Sequence, residues 1–349
     1  MRLTVAVPTF NRASDLACLL TSIQQELNEI IEEEVEVLVI SNASTDTTDQ
    51  VVEEFRSQIP RLRYLKNANN IGMQANFVRT LQESRGRYTW MIGDDEILEP
   101  GSLRRVLTAI HQYTCPLLVF NYSSEPSPLG VRFLTQVNNQ PLSSGVQILK
   151  NFVQDKGWLW TLGNLGMVVV ETERLRAVDP TPHMASCFVQ AGWYFEALHG
   201  DNMAFVDEPV FRTSIKSQTR NKERWASDGT TDSFHFLVNS LDRFVALEIV
   251  PPRIPVMFLN ACSCNRMPIW NYFLEPIITK ISMGDFQISE REWSTMAALV
   301  ARVDDDTVRD SMQAYLDVIR HAIVATRASH QNAIWLAGRY RPHLHLGVP

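Results

Sequence analysis

The amino-acid sequence predicts an α/β fold, with a mostly parallel sheet flanked by helices and a mainly helical C-terminal region. Over the first 120 residues, short apolar runs of strand length alternate with segments whose apolar residues recur at helical spacing. Strands and helices that alternate in this way are typical of a parallel sheet covered on both faces. From about residue 232 onwards the apolar pattern is helical only.

The first three strands and their helices follow from this pattern. The run Leu3–Val7 predicts a strand, and apolar residues at helical spacing over 16–27 predict a helix. The continuous apolar run Val35–Ile40 predicts a buried second strand, followed by a helix over 51–55 and a short strand over 62–65. The order is strand, helix, strand throughout.

The next elements continue the alternation. After a turn at Gly72, residues 77–81 form one apolar helical face, and Tyr88–Ile92 reads as a fourth strand. Pro100 suits the first turn of a helix that runs to His111, and Leu117–Phe120 predicts another strand. Ligands bind such sheets at the carboxyl ends of the strands, so the residues after each strand are the candidates for chemistry.

The composition describes a globular chain of about two domains. We predict a catalytic domain over 1–225, divided into a nucleotide-binding half (1–125) and an acceptor half (126–225), and a helical region over 226–349. A net charge of −7 offers no global attraction for nucleic acid. We predict a cytoplasmic protein, because the five cysteines are scattered, no apolar run is long enough to span a bilayer and the sequence shows no signal-peptide pattern.

Three strand ends carry polar side chains. The first ends in Pro8–Arg12, which is not a glycine-rich phosphate loop; Phe10 and Arg12 could stack on and pair with a base, or form a capped turn. The second ends in Ser41–Asp46, a run of turn formers and helix caps. The fourth ends in Gly93–Glu96, whose adjacent carboxylates suit Mg²⁺ or Mn²⁺ shared with a diphosphate, or a solvated turn before the next helix.

Together these segments resemble the family 2 glycosyltransferases with a GT-A fold. The resemblance covers residues 3–110, and the later chain is loosely similar to the bacterial members that build surface polysaccharides. It rests on four segments in the family's order and spacing: Val7–Arg12, Asn42–Asp46, Asn70–Asn76 and Gly86–Gly101.

The resemblance implies a site for a nucleotide-diphosphate sugar donor. Pro8, Thr9 and Phe10 would hold the base and ribose with Arg12 beside them, and Asn76 would help to close the pocket.

The resemblance also implies a divalent metal, Mn²⁺ or Mg²⁺. Asp95 would coordinate it, and Asp94 would contact the ribose or the metal's waters, which places Asp94 with the catalytic residues. Ser41 and Asn42 would also face the donor, although the family usually has an Asp there to read the base.

The acceptor side departs further from the family. Many members carry a Glu-Asp pair that supplies the base, where this chain has Val189–Gln190. We predict Glu196 as the general base, since a carboxylate suits this work, although it equally suits an ordinary position on a helix surface. His183 and His199 are the other nearby ionisable groups. Trp193 is predicted to contact the acceptor, because aromatic faces bind sugar rings, although it equally suits a core position.

The predicted reaction moves a hexose or deoxyhexose to a hydroxyl of a glycan or lipid-linked glycan. Basic residues over 212–224 could form a lid on the diphosphate or an ordinary loop. Residues 318–349 hold four arginines and no Asp or Glu, which favours either peripheral contact with the inner membrane face or a helix packed on its own domain. Two alternatives stay open: a sugar-phosphate nucleotidyltransferase, and a non-catalytic scaffold that binds nucleotide sugars.

Overall fold

A computed structural model describes residues 2–30, 34–124, 141–142, 163–184, 188–213, 240 and 242–249, with single residues and short runs between 293 and 321. The chain divides into two compact units: Met1–Asn151 with Gly157–Thr219, and Phe152–Lys156 with Arg220–Pro349. The predicted division at residues 225 and 226 lies outside the described residues.

The first half of the sheet is parallel, as the sequence predicts. Its elements are β1 (Leu3–Thr9), α1 (Ala13–Leu27), β2 (Val35–Ser41), α2 (Thr48–Arg56), β3 (Leu62–Lys66), α3 (Met73–Glu83) and β4 (Tyr88–Met91). The strands pair in the order β3-β2-β1-β4, and a helix follows each of the first three strands before the next begins. Every residue of β1 and β2 is buried, so this half of the sheet forms the centre of the core.

The second half of the sheet is mixed rather than parallel. Its elements are β5 (Glu96–Leu98), α4 (Ser102–Tyr113), β6 (Leu117–Ser124), β7 (Pro141–Leu142), β8 (Val168–Glu171), α5 (Thr172–Arg176), α6 (Val189–Leu198) and β9 (Met203–Thr213). Beyond β4 the order continues β8-β6-β9-β5, with β7 also on β9. β8 is antiparallel to both β4 and β6, and among the described strands of this half only β6 and β9 pair in parallel.

One of the strands absent from the sequence prediction, β8, decides what reaches the carboxyl end of β4. Trp90 of β4 pairs with Val169, so the chain just before β8 lies beyond the end of β4. The indole N–H of Trp90 donates to the Gly166 carbonyl at 2.7 Å and fixes this segment. A loop from the later half of the unit therefore meets the residues that follow β4.

The second unit is described only in part. Residues 242–246 are helical, within the helix that the sequence predicts over 234–247. Arg320 is one of the arginines of the predicted membrane segment, and its guanidinium lies 6.0 Å from the centre of the Trp293 ring. Apart from Arg320 and His321, residues 318–349 lie outside the described residues. In the described part of the chain we find no helix that is both long and apolar enough to cross a bilayer.

Candidate active site

The parallel strands bring their polar ends to one edge of the sheet. Pro8 limits the pairing there because it has no N–H to donate to β4, and the ladder between β1 and β4 ends at Ala6 and Met91. The backbone N–H of Ile92 makes one further bond, 3.0 Å, to the Ala6 carbonyl. Beyond this bond the segments that follow β1 and β4 diverge, and Asp94 lies beside the end of β1.

The end of β1 holds the carboxylates after β4. The Thr9 hydroxyl donates to Asp94 Oδ2 at 2.8 Å, and Arg12 Nη1 donates to Asp94 Oδ1 at 2.9 Å. The same Arg12 nitrogen lies 3.2 Å from Asp95 Oδ2. The structure thus brings together four residues that the sequence assigns to donor or metal binding, from two segments more than 80 positions apart.

Burial dominates the ionisation of this cluster. Burial raises the pKa of Asp94 the most. The charge of Arg12 lowers this pKa and the charge of Asp95 raises it, and the resulting pKa is about 6. Glu96 turns into β5 and is buried, and burial together with Asp95 and Asp94 raises its pKa well above 4.5. Asp94 is therefore a carboxylate at neutral pH, whereas the surroundings of Glu96 favour its neutral form.

The donor set fits a divalent ion that shares its ligands with a substrate. Among the described residues, no group of three His, Cys, Asp or Glu side chains is arranged to hold a metal. Two adjacent carboxylates remain, and Mg²⁺ is commonly held by one or two carboxylates together with substrate phosphates. Asp95 and Asp94 fit that arrangement, whereas Glu96 is buried in β5.

The Asn42 side chain is engaged within the protein, and its contact with a donor stays a prediction. Its Oδ1 accepts from Asn67 Nδ2 at 2.8 Å and from the Ile71 N–H at 2.9 Å. Its Nδ2 donates to Asn70 Oδ1 at 2.8 Å and to the Gly72 carbonyl at 3.2 Å. An amide offers two donors and two acceptor positions, so the Asn42 side chain is fully used in holding the loop after β3.

Two other predicted donor residues also support this edge. Asn76 is buried, and its Oδ1 accepts from Asn67 Nδ2 at 2.9 Å, so it belongs to the same amide network. Ser41 is buried, and its hydroxyl accepts from the Ser44 N–H at 3.1 Å. Contact of these side chains with a donor stays a prediction; their described contacts are to the protein.

Two exposed apolar side chains flank Asn42. Phe10 is 41% exposed and Ile71 is 45% exposed, and only Leu247 joins them as an exposed large hydrophobic residue in the described part of the chain. The Asn42 N–H donates to the Thr9 carbonyl at 2.8 Å, next to Phe10, while its side chain holds the N–H of Ile71. Ile71 is not among the residues predicted from the sequence; its signal there is an apolar residue inside a run of Asn and Gly.

The predicted base, Glu196, is paired with a buried histidine. Its Oε2 lies 2.8 Å from Nε2 of His183, whose side chain is fully buried. Glu196 follows Gln190 by six residues of α6, or about 9 Å along the helix axis. The structure therefore explains Glu196 as a partner of His183, and its role as general base stays a prediction.

The predicted acceptor contact, Trp193, has no exposed ring face. It is fully buried, and its indole N–H donates to the Val178 carbonyl at 2.8 Å. The other candidate base, His199, lies at the end of α6, where its Nδ1 is 2.9 Å from the Glu196 carbonyl oxygen. Trp193 therefore takes the core position that the sequence left open beside acceptor contact.

Gln190, which stands in place of the expected acidic pair, reaches the site's edge. Its Nε2 donates at 2.9 Å to the carbonyl of Gly163, in the loop before β8. Its Oε1 is buried and has no hydrogen-bond partner among the residues that the structure describes. Since that loop lies beyond the end of β4, the first turn of α6 lies near the carboxyl end of the sheet.

The pairing of Glu196 with His183 predicts a loss of stability when it is removed. We expect Glu196→Ala to lower the free energy of unfolding by about 1–3 kcal/mol, because it leaves a buried ring nitrogen without its partner. Glu196→Gln keeps an acceptor for His183, and we expect a smaller loss. Urea titrations of both variants measure this difference, and equal stability of Glu196→Ala and the wild type would contradict it.

Turnover of the folded Glu196→Gln variant decides its catalytic role. A fall of about 10²–10⁴ with donor binding preserved would assign Glu196 as the base, because an amide cannot accept the proton. Near-normal turnover would exclude it.

Comparisons with known proteins agree with this architecture. Residues 4–158 match the model of the family described as Glycosyl transferase family 2. The fold resembles that of Staphylococcus aureus TarS 1-349 in complex with UDP-GlcNAc, with 15% identity and a TM-score of 0.63 over 98% of this chain and 92% of TarS 1-349. The chain thus has the GT-A-like α/β fold that the sequence predicts, and the resemblance to family 2 glycosyltransferases is confirmed.

Sequence relatives are matched over shorter stretches. Abequosyltransferase RfbV of Salmonella typhimurium is 32% identical over 104 residues, which are 30% of this chain and 31% of RfbV. Glycosyltransferase GlyA of Streptococcus pneumoniae is 27% identical over 124 residues, 35% of this chain and 17% of GlyA. The chain thus spans less than half the length of these curated relatives.

Proposed function

We propose that the chain is a glycosyltransferase that moves a sugar from a nucleotide-diphosphate donor to a hydroxyl of a glycan acceptor. One observation carries the proposal: Asp94 and Asp95 lie at the carboxyl end of β4, joined to the end of β1 through Thr9 and Arg12. This is the edge at which open α/β sheets bind ligands. The family match over residues 4–158 covers all four residues.

The base of the donor would lie between Phe10 and Ile71. Both side chains are exposed, and both are positioned through Asn42. A planar base can pack between an aromatic face and an aliphatic side chain. Such packing does not depend on the hydrogen-bonding pattern of the base. Because the Asn42 side chain is fully used, backbone groups of the loop after β3 would read the edge of the base.

The diphosphate would lie at Asp95 with a divalent ion, Mn²⁺ or Mg²⁺. Such an ion would neutralise the charge that develops on the nucleotide as the glycosidic bond breaks. Asp95 would hold it, and Asp94, kept in place by Thr9, would support the ribose or the water ligands. Asp94 takes this part as a carboxylate, which its pKa of about 6 permits at neutral pH.

The acceptor would be a glycan or a lipid-linked glycan in the assembly of a bacterial surface polysaccharide. The names of relatives support this class: RfbV is an abequosyltransferase, and TarS 1-349 was crystallised with UDP-GlcNAc. A cytoplasmic location and contact of residues 318–349 with the membrane stay predictions. So does the lid over 212–224, of which only Arg212 and Thr213 are described.

Nucleotide binding tests the proposal most directly. We expect a thermal-shift panel of nucleoside diphosphates to give a stabilising ligand whose effect is largest with Mn²⁺. A ligand present at 100 times its dissociation constant stabilises the folded state by about 2.7 kcal/mol, which such a measurement resolves. A panel without any stabilising nucleotide would contradict the proposal.

A non-catalytic scaffold is the second candidate, and Gln190 favours it. An amide at the first turn of α6 cannot take a proton from the acceptor, and its buried Oε1 has no hydrogen-bond partner in the described part of the chain. An assay for hydrolysis or sugar transfer separates the enzyme from the scaffold. It uses the nucleotide sugar whose nucleotide the panel selects, because a scaffold binds the donor without consuming it.

A further inference from the structure

One guanidinium nitrogen contacts both carboxylates of the candidate site. Arg12 Nη1 lies 2.9 Å from Asp94 Oδ1 and 3.2 Å from Asp95 Oδ2. The contact is largely shielded from water, since the Arg12 side chain is 19% exposed and the two carboxylates are 6% and 9% exposed. Charges in such surroundings interact more strongly than exposed ion pairs do.

Thr9 gives Asp94 a second contact besides Arg12. Asp94 accepts this hydrogen bond from a neutral group that can stay in place whichever cation is present. Asp95, the residue proposed to hold the metal, directs Oδ2 towards Arg12. A divalent ion on Asp95 would therefore meet a positive charge already at that oxygen.

We propose that Arg12 is a built-in cation that competes with the divalent metal for Asp95 and is released to the donor diphosphate when the metal binds. The inference rests on the proposed function. Arg12 holds the adjacent carboxylates together, and its positive charge repels a free metal ion. A diphosphate that arrives with the metal gives the displaced guanidinium a new anionic partner.

This competition couples metal binding to donor binding. Without nucleotide, the metal must break the contact between Arg12 and Asp95, and the guanidinium keeps Asp94 but gains no new anion in place of Asp95. With nucleotide, the guanidinium exchanges one anion for another. Because coupling between two ligands is reciprocal, the donor raises the affinity for metal by the same factor as the metal raises the affinity for donor.

The measurement is Mn²⁺ binding in the absence of nucleotide, by electron paramagnetic resonance titration of the full chain. We expect Arg12→Gln to bind Mn²⁺ about tenfold more tightly than the wild type, the size of one charge-assisted hydrogen bond. We expect Arg12→Lys to stay close to the wild type, because it keeps the charge. A structural role alone would not increase metal affinity.

Two further variants make the outcome specific. Arg56→Gln removes an equal charge from an exposed pair with Glu53 on α2, and we expect it to leave Mn²⁺ affinity unchanged. Asp95→Asn must weaken Mn²⁺ binding if Asp95 holds the metal. If Asp95→Asn loses affinity while Arg12→Gln gains none, the inference fails and the proposed metal site stands. If Asp95→Asn binds Mn²⁺ as the wild type does, the metal site itself fails, and the inference with it.

A second test uses the wild-type chain and needs no substitution, so it holds even if Arg12→Gln does not fold. In a crystal structure with Mn²⁺ bound at Asp95, the distance from Arg12 Nη1 to Asp95 Oδ2 should grow from 3.2 Å to beyond the range of an ion pair. An unchanged contact beside bound Mn²⁺ would overturn the proposal.

Discussion

Asp95→Asn is expected to lower turnover by about 10²–10³ and to remove most of the effect of Mn²⁺ on nucleotide binding. An amide oxygen is a weaker ligand for a hard cation than a carboxylate, and the stabilisation lost is that of a charge developing on the leaving group. The fold should persist, because the amide oxygen of the substituted side chain can still accept a hydrogen bond from Arg12. Calorimetric titration of both proteins with the nucleotide, with and without Mn²⁺, measures the effect of Mn²⁺ on nucleotide binding.

The matched control is Glu53→Gln. Glu53 is an exposed carboxylate on α2 whose side chain is 70% exposed and pairs with Arg56. This change removes the same charge far from β4, and donor binding should not change. Equal nucleotide affinity in Asp95→Asn and the wild type, with Mn²⁺ present, would refute the assignment of Asp95.

Phe10→Ala is expected to weaken donor binding by about 1–3 kcal/mol, or roughly 5- to 150-fold. This is the range measured for stacking of a base on an aromatic side chain. Because Phe10 is already 41% exposed, its removal should cost little of the free energy of unfolding. Calorimetry of the donor nucleotide and a thermal melt of the free protein separate the two effects.

Leu247→Ala serves as the control for the loss of an exposed apolar side chain. Leu247 is 44% exposed and is not among the residues proposed to bind the donor, so we expect its removal to leave nucleotide affinity unaltered. Inorganic pyrophosphate with Mn²⁺ is a second control, since it lacks a base and should bind Phe10→Ala and the wild type equally. If donor affinity stays the same while stability falls by several kcal/mol, Phe10 belongs to the core.

The candidate site illustrates what the sequence could and could not predict. Asp94 and Asp95 stand out in the sequence because carboxylates directly after a buried strand need a cation or water nearby. Ile71 does not, because its exposure depends on how Asn42 holds the loop after β3. The histidine partner of Glu196 was also unforeseen, since His183 precedes it by 13 positions and meets it only when α6 packs.

The sequence by itself determined the parallel half of the sheet, its order of strands and helices, and the polar strand ends that resemble family 2 glycosyltransferases. These features are local, because the apolar period and the residues after each strand lie within a few positions of one another. Only the tertiary structure decided that β8 inserts antiparallel between β4 and β6, that Trp193 is buried, and that Arg12 joins Asp94 to Asp95. Each of these features depends on contacts between segments that are distant in the sequence, and burial and charge pairing bring those segments together only as the chain folds.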